Sequence, residues 1–263
     1  MLSLSKSGAK SGPIVVFLHA AGISSWMWRD IASKLPDSTH VLIDLPGHGK
    51  SNTTRWDTIA ASAQLVWDSL DASFTPSDID ARGIHLVGIS LGSYVGLAML
   101  AQRPAMVSTA VFSGMHSQKM KHSFLLKAFA ILMTPFSRMS FMAKQTARMF
   151  GLTGDDVDIF AHEAGKTRLA TIRSTIVQVI DYEVPGHLEA INARVLFVAG
   201  SNEHGTILNS LMELASNIKF GQAAIAPDLG HGWAGQDSDL FSDMISAHQI
   251  GAPLPKKLQL QFH

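Results

Sequence analysis

The stretch IHLVGISLG, residues 84–92, decides the fold that the sequence predicts. Its apolar first part predicts a buried strand, and the apolar segment after it, residues 91–102, predicts a helix. Ser90 stands at the turn between the two, with Gly88 and Gly92 on either side. Glycines at these positions tolerate a tight turn and keep side chains away from the serine hydroxyl. The context therefore predicts an exposed, nucleophilic serine; the alternative is a glycine/serine turn without a chemical role.

Short apolar runs alternate with helical patterns over most of the chain. Strands are predicted at 14–18, 41–43, 84–87, 107–112, 195–198 and 223–226, and helices at 25–35, 57–71, 91–102, 207–217 and 237–248. Near-continuous apolar strands separated by helices are typical of a parallel sheet that is covered on both faces. The sequence therefore predicts an α/β fold, with 223–226 as its last strand.

The alternation is interrupted by a helical segment, residues 116–187. Helices are predicted here from Phe124, with a break at Pro135, near 141–150, and again after Gly154. Residues 116–154 carry six basic side chains, no acidic one and five of the 12 Met in the chain. We therefore expect residues 116–187 to form a helical cap (lid), inserted into a core made of residues 1–115 and 188–263. Such an insertion would lie over the carboxyl edge of the sheet, where α/β folds bind ligands.

Composition narrows the function classes. The 263 residues are 46% hydrophobic and carry 21 basic and 21 acidic side chains, which suits one large α/β domain with an elaboration and argues against a nucleic-acid partner. The absence of Cys excludes disulfides, thiolate metal sites and cysteine nucleophiles. No run has the pattern of a signal peptide or the length of a membrane span. We expect a cytoplasmic protein without stable membrane insertion, a monomer or homodimer that needs neither cofactor nor metal.

A nucleophilic serine requires a base, and His231 is the histidine that we favour. It follows the strand predicted at 223–226, and Gly230 and Gly232 leave its ring unobstructed. His19 and His48 precede Ser90 in turns, where structural hydrogen bonds are expected. The other histidines weighed are in the cap, where solvated or packing roles are expected, or late in the last helix and tail: His116, His122, His162, His187, His248 and His263.

The base in turn requires an acid that orients it, and Glu203 is favoured for this role. It is the only carboxylate in the loop after the strand predicted at 195–198. Asp228 is the alternative, but it lies on the same loop as His231 rather than on the loop where this fold places its acid.

Acyl transfer also requires donors for the charge that develops on the carbonyl oxygen. The backbone N–H of Leu91, directly after the serine and at the start of a helix, is one candidate. Ala21, in the loop after the first strong strand, is the other, because its small side chain and the adjacent Gly22 permit close backbone approach.

Five segments, in this order and at this spacing, resemble the α/β-hydrolase fold superfamily, in its serine-esterase-like branch with a helical cap. The segments are His19-Ala20-Ala21-Gly22, Asp44-Leu45-Pro46-Gly47-His48-Gly49-Lys50-Ser51, the turn around Ser90, Gly200 to Glu203, and Gly230-His231-Gly232-Trp233. Glu203 stands where Asp is commoner in this superfamily. The short N-terminus before Ile14 indicates that the antiparallel strands at the start of its sheet are absent or reduced to one.

The resemblance implies a hydrolase with a small-molecule substrate and no cofactor. Cleavage of a small or medium apolar carboxylic ester through an acyl-enzyme is the favoured activity. Two alternatives stay open, a ligand-sensing member with slow turnover and a carbon–carbon bond hydrolase, because fold and triad do not choose among them.

Overall fold

A computed structural model gives the structure of the protein and describes residues 1–120, 123–186 and 188–261. The described part contains one sheet. In chain order its strands are β1 (Leu4–Gly8), β2 (Ile14–Leu18), β3 (Thr39–Ile43), β4 (Ile84–Ile89), β5 (Val107–Ser113), β6 (Arg194–Gly200), β7 (Phe220–Ala226) and β8 (Gln259–Gln261). The α-helices are α1 (Arg29–Ser33), α2 (Ile59–Asp71), α3 (Pro76–Arg82), α4 (Leu91–Gln102), α5 (Ser123–Ser137), α6 (Ser140–Met149), α7 (Asp155–Lys166), α8 (Leu169–Ile180), α9 (Gly205–Ser216), α10 (Trp233–Gln236) and α11 (Ser238–Ile250).

The strands pair in the order β1-β3-β2-β4-β5-β6-β7-β8. The six strands from β3 to β7 in this order are parallel, whereas β1 pairs antiparallel with β3 and β8 pairs antiparallel with β7. The predicted α/β fold is therefore confirmed, and a single antiparallel strand precedes Ile14. The prediction that 223–226 is the last strand was wrong. The strand β8 is only three residues long and polar, so periodicity could not reveal it.

The apolar strands are buried on both faces of the sheet. In β2, Ile14, Val16 and Leu18 belong to one buried cluster, while Val15 and Phe17 belong to the other. Successive side chains of a strand point to opposite faces, so a strand covered on both sides must be apolar throughout. This is why β2 appears in the sequence as an uninterrupted apolar run.

The four helices α5 to α8 lie between β5 and β6 in the chain. The helices predicted near 141–150 and after Gly154 are present as α6 and α7, and α8 was not foreseen. The predicted break at Pro135 was wrong, because α5 continues to Ser137. A proline this close to the carboxyl end of a helix costs only one hydrogen bond of the last turns. The boundaries 116–187 of the cap stay a prediction.

In the described part of the chain, no single helix is both long and apolar enough to span a bilayer. Taken together, α5 and α6 have the length and composition of such a span, but a bend of 114° lies between them.

Candidate active site

Ser90 occupies the sharp turn between β4 and α4. Its backbone angles are φ 51° and ψ −121°, a region that L-residues rarely adopt, at a cost of about 1–3 kcal/mol. The Ser90 N–H donates to the carbonyl oxygen of Ser113 at the end of β5, at 2.8 Å. The side chain is half-buried. The turn therefore holds the serine at the carboxyl edge of the sheet in a strained backbone conformation that its neighbours enforce.

Glu203 and His231 are in direct contact at the same edge. His231 Nδ1 lies 2.6 Å from Glu203 Oε2, and Gly200 N–H donates to Glu203 Oε1 at 3.1 Å. The Glu203 side chain is 0% exposed, whereas that of His231 is 31% exposed. The carboxylate accepts the Nδ1 proton, so the neutral imidazole presents an unprotonated Nε2. This tautomer is the one that a general base requires.

Asp228, the alternative acid, is exposed and its backbone N–H donates to Ser201 Oγ. The structure therefore brings Glu203, and not Asp228, to the imidazole of His231.

The backbone of Ser113 and Gly114 connects the serine turn with the histidine loop. The Ser113 carbonyl oxygen accepts from the Ser90 N–H, and the Ser113 Oγ accepts from Trp233 Nε1 at 2.8 Å. Trp233 comes two residues after His231 in the chain. A Cβ on Gly114 would lie 2.7 Å from His231 Cε1 and 2.9 Å from Nδ1. Ser90 and His231 themselves share no hydrogen bond in the described structure. Catalytic contacts of this kind are often long before substrate binds.

The two predicted oxyanion donors are free. Leu91 is the first residue of α4, so its N–H has no acceptor within the helix, and neither Leu91 nor Ala21 donates its N–H to any described residue. The helix start is pressed against the end of β2, since a Cβ on Gly92 would lie only 3.0 Å from the His19 carbonyl oxygen. The loop that carries Ala21 is therefore adjacent to the serine turn.

His19 holds that loop in place. Its Nε2 accepts the Leu45 N–H at 2.9 Å, so its single proton is on Nδ1 and is donated to the Ala20 carbonyl oxygen at 2.7 Å. Burial lowers the pKa of His19, which favours this neutral form. The Ala21 N–H belongs to the same trans peptide as the Ala20 carbonyl, so fixing one end orients the other.

Among the other histidines considered from the sequence, those in the described chain form no hydrogen bond with Ser90, Glu203 or His231. His48 is buried, its Nδ1 bonds to the Pro46 carbonyl oxygen at 3.0 Å, and burial lowers its pKa to about 3. His116 and His248 are buried and His162 is exposed. His122, His187 and His263 lie outside the described residues. The described chain holds no group of three or more metal-ligating side chains.

A small apolar cavity of about 40 Å³ adjoins the imidazole of His231. Its side-chain lining comes from Ile23, Met27, Ile89, Phe150 and Leu152. The Phe150 ring lies 6.0 Å from that of His231. The inserted helices thus reach the site through the residues that follow α6.

A larger groove of about 460 Å³ lies beside α7, but it contains none of Ser90, Glu203 and His231. Glu163, which lines this groove, accepts hydrogen bonds from Ser24 Oγ at 2.9 Å and Trp26 Nε1 at 2.8 Å. Burial raises the pKa of Glu163, although the two donors oppose the shift. The groove therefore marks where α7 is attached to the loop after Ala21.

Two residues near the site were not predicted from the sequence, Gly114 and Phe150, whereas the structural hydrogen bonds expected for His19 are present. A glycine directly after the strand that ends at Ser113 was a usable signal for Gly114, because glycines permit close approach at strand ends. Phe150 carries no such signal, since its contact with His231 depends on how the helices of the insertion pack.

Comparisons with known proteins identify the family and the fold. A sequence model described as "Alpha/beta hydrolase family" matches residues 15–244. The chain belongs to the alpha/beta hydrolase family. The resemblance inferred from the motifs is thereby confirmed, and membership supports a hydrolase. Family membership does not identify the bond that is cleaved, because members of one fold carry out different chemistries.

Individual relatives of this family member differ in their named activities. It is 31% identical over 111 residues to a 2-succinyl-6-hydroxy-2,4-cyclohexadiene-1-carboxylate synthase of Enterobacter sp., a match that covers 42% of the chain and 41% of that relative. Over 250 residues it is 26% identical to a provisionally named carbamate hydrolase RutD of Variovorax paradoxus, which covers 89% of the chain and 91% of the relative. An esterase from Exiguobacterium antarcticum has the same fold, with a TM-score of 0.77, 15% identity and 95% of each chain covered.

Proposed function

We propose that the protein is a serine hydrolase that cleaves a small or medium apolar carboxylic ester through an acyl-enzyme intermediate. The observation that carries the proposal is the contact of 2.6 Å between His231 Nδ1 and the buried Glu203 carboxylate, beside the strained turn of Ser90. A buried carboxylate that orients a partly exposed histidine at the mouth of an apolar cavity is the arrangement that activates a serine hydroxyl.

The proposed reaction has two halves. Ser90 Oγ attacks the ester carbonyl carbon while His231 Nε2 takes its proton, and the N–H groups of Leu91 and Ala21 donate to the oxyanion. The tetrahedral intermediate collapses, the C–O bond to the alcohol breaks, and His231 returns the proton to the leaving alcohol. Water then attacks the acyl-enzyme with His231 again as base, which releases the acid and restores Ser90. Glu203 stabilises the imidazolium that forms in each half.

The proposed substrate follows from the cavity next to His231. Its side chains are apolar and its volume of about 40 Å³ is small, which favours a short apolar acyl group. Helices α5 to α8 then serve as the cap, because Phe150 and Leu152 form part of the cavity wall. The names of the esterase and of the provisionally named carbamate hydrolase are consistent with hydrolysis at an acyl carbon.

The test combines labelling with turnover. A fluorophosphonate probe is expected to label the wild type and the Ser77→Ala variant, which alters an exposed serine on α3, but not Ser90→Ala. A series of p-nitrophenyl esters from acetate to octanoate is expected to be hydrolysed fastest at the short end. Equal labelling of Ser90→Ala would overturn the nucleophile. Labelling without steady-state turnover of any ester would favour the ligand-sensing alternative, and cleavage of a vinylogous diketone instead would favour carbon–carbon hydrolysis.

A further inference from the structure

Helix α5 has the opposite of the usual arrangement of polar and apolar side chains. The stripe that packs against the protein is small or polar: Ser123, Lys127, Ala130 and Thr134, spaced at helical intervals, are half-buried or buried. Apart from the half-buried Met133, the large apolar side chains face away, with Phe124 77% and Leu132 68% exposed. A helix of a water-soluble surface normally buries its apolar stripe. The outward side of α5 is therefore suited to an apolar surrounding that the rest of the chain does not provide.

The exposed apolar side chains are concentrated on one surface. Of 16 large hydrophobic residues that are exposed in the described chain, 11 lie between 124 and 149. They are Phe124, Leu125, Leu126, Phe129, Ile131, Leu132, Phe136, Met139, Phe141, Met142 and Met149. We call this surface, formed by α5 and α6, the α5–α6 face. Exposed apolar side chains that cluster on two consecutive helices in this way mark an interaction site.

The same segment has a uniform charge. Residues 116–154 contain six basic side chains and no acidic one. Lys119 and Lys127 share Asp181, at 3.3 and 2.6 Å, and Lys144 pairs with Asp158 at 2.6 Å. Arg138 donates to the Gly165 carbonyl oxygen, and Arg148 forms no ion pair or hydrogen bond with any described residue. The described basic residues of this segment therefore outnumber the two aspartates that pair with them, and the α5–α6 face is both apolar and positively charged.

We propose that the α5–α6 face docks the protein on an anionic lipid bilayer. Phe and Leu side chains would enter the acyl-chain boundary while Lys and Arg contact lipid phosphates, as in interfacial amphipathic helices. The bend of 114° between α5 and α6 fits two helices that lie along a surface, not a single span. A second copy of the chain is a poorer occupant, because a twofold interface would bring two faces of the same positive charge together.

Vesicle binding tests the proposal without reference to catalysis. The wild-type protein is mixed with vesicles of phosphatidylcholine alone, or of phosphatidylcholine and phosphatidylglycerol in equal parts, and the bound fraction is measured by co-sedimentation. Binding is expected to the anionic vesicles, and added salt weakens it by screening. The double variant Phe129→Ser with Leu132→Ser is expected to bind at least about tenfold more weakly, since each buried apolar side chain contributes that much or more. Arg148→Gln is expected to weaken binding to anionic vesicles only.

Two control variants test whether vesicle binding is specific to the α5–α6 face. Ile250→Ser removes a side chain that is 78% exposed at the end of α11. The adjacent Gly251 faces Arg194 at the amino end of β6, so this control lies at the edge of the sheet opposite to the edge of Ser90 and His231. Lys256→Gln removes an exposed basic residue that lies outside α5 and α6. Both are expected to bind like the wild type, and circular dichroism checks the fold of every variant. Absence of vesicle binding, or equal loss in the controls, would overturn the proposal. A dimer in light scattering that Leu132→Ser dissociates would identify a second copy as the occupant.

Discussion

At the scale of single residues, each carboxylate oxygen of Glu203 has its own hydrogen-bond partner. One accepts from the Gly200 N–H and the other from His231, and the side chain is fully buried. A carboxylate in this position is held in one orientation, because any rotation would leave a buried oxygen or an N–H without a partner. The imidazole is consequently fixed in the tautomer that leaves Nε2 free.

Replacement of Glu203 by Gln is expected to lower kcat by about 10³–10⁴-fold with little change in KM. The amide has no charge to stabilise the imidazolium, and its NH₂ group can hold the opposite tautomer. Steady-state kinetics on the best p-nitrophenyl ester measures the effect. Asp228→Asn, on the exposed alternative acid, is the matched control and should retain wild-type kcat. Loss of activity in the control rather than in Glu203→Gln would assign the orienting role to Asp228.

Replacement of Gly114 by Ala is expected to lower kcat by at least about 10²-fold, since the Cβ would displace the imidazole of His231. The residue also has φ +69°, which adds strain in the folded state. Gly154→Ala is the control, because Gly154 has φ +55° but no atom within 4 Å of an added Cβ. Both variants should lose stability in urea because of the positive φ, and only Gly114→Ala should also lose kcat. Equal kcat values in the two variants would contradict the steric argument.

At the scale of secondary-structure elements, the end of α6 is pressed onto the histidine loop. A Cβ on Gly232 would overlap the Phe150 carbonyl oxygen, so only glycine permits this contact. The Phe150 ring and Leu152 then form one wall of the cavity beside His231. The inserted helices therefore limit the space at the proposed acyl site, while the strands position the reactive groups.

Phe150→Ala is expected to enlarge this cavity and shift the preferred ester towards longer acyl chains. The kcat/KM ratio of hexanoate to acetate should rise by about tenfold or more, because one or two additional methylenes become buried. Phe141→Ala changes the same residue type on α6 at a side chain that is 72% exposed, and it should leave the ratio unchanged. A parallel shift in both variants would mean that helix stability, and not the cavity, controls chain length.

At the scale of the whole molecule, several buried histidines are neutral in the folded state. Burial lowers the pKa of His48 to about 3 and of His85 to about 4, and it lowers those of His19, His116 and His248 as well. In the unfolded chain a histidine has a pKa of about 6.5. Between these values the unfolded state binds more protons than the folded state, so stability is fully present above about pH 6.5 and falls as the pH decreases.

We therefore expect the free energy of unfolding to fall between about pH 6.5 and pH 4, by up to about 1.4 kcal/mol per pH unit for each such histidine. Asp78 and Asp237 have a lowered pKa in the folded state, so their protonation reduces the free energy of unfolding only at lower pH, around and below the unfolded value of 3.8. Urea denaturation over this range measures the slope. His85→Gln should flatten it, while His162→Gln, an exposed histidine, should not. A slope that is unchanged by His85→Gln would contradict the prediction that buried, neutral His85 contributes to the pH dependence of stability.

The sequence by itself determined the sheet, most of its strands and the order of Ser90, Glu203 and His231 along the chain. This was possible because strands buried on two faces must be apolar, and because each of these residues lies in the turn or loop that follows a strand of the sheet. The short polar strand β8, the path of α5 through Pro135 and the packing of Phe150 and Gly114 against His231 were decided by the tertiary structure. These features depend on contacts between segments that are distant in the chain, and local periodicity carries no information about which distant atoms meet.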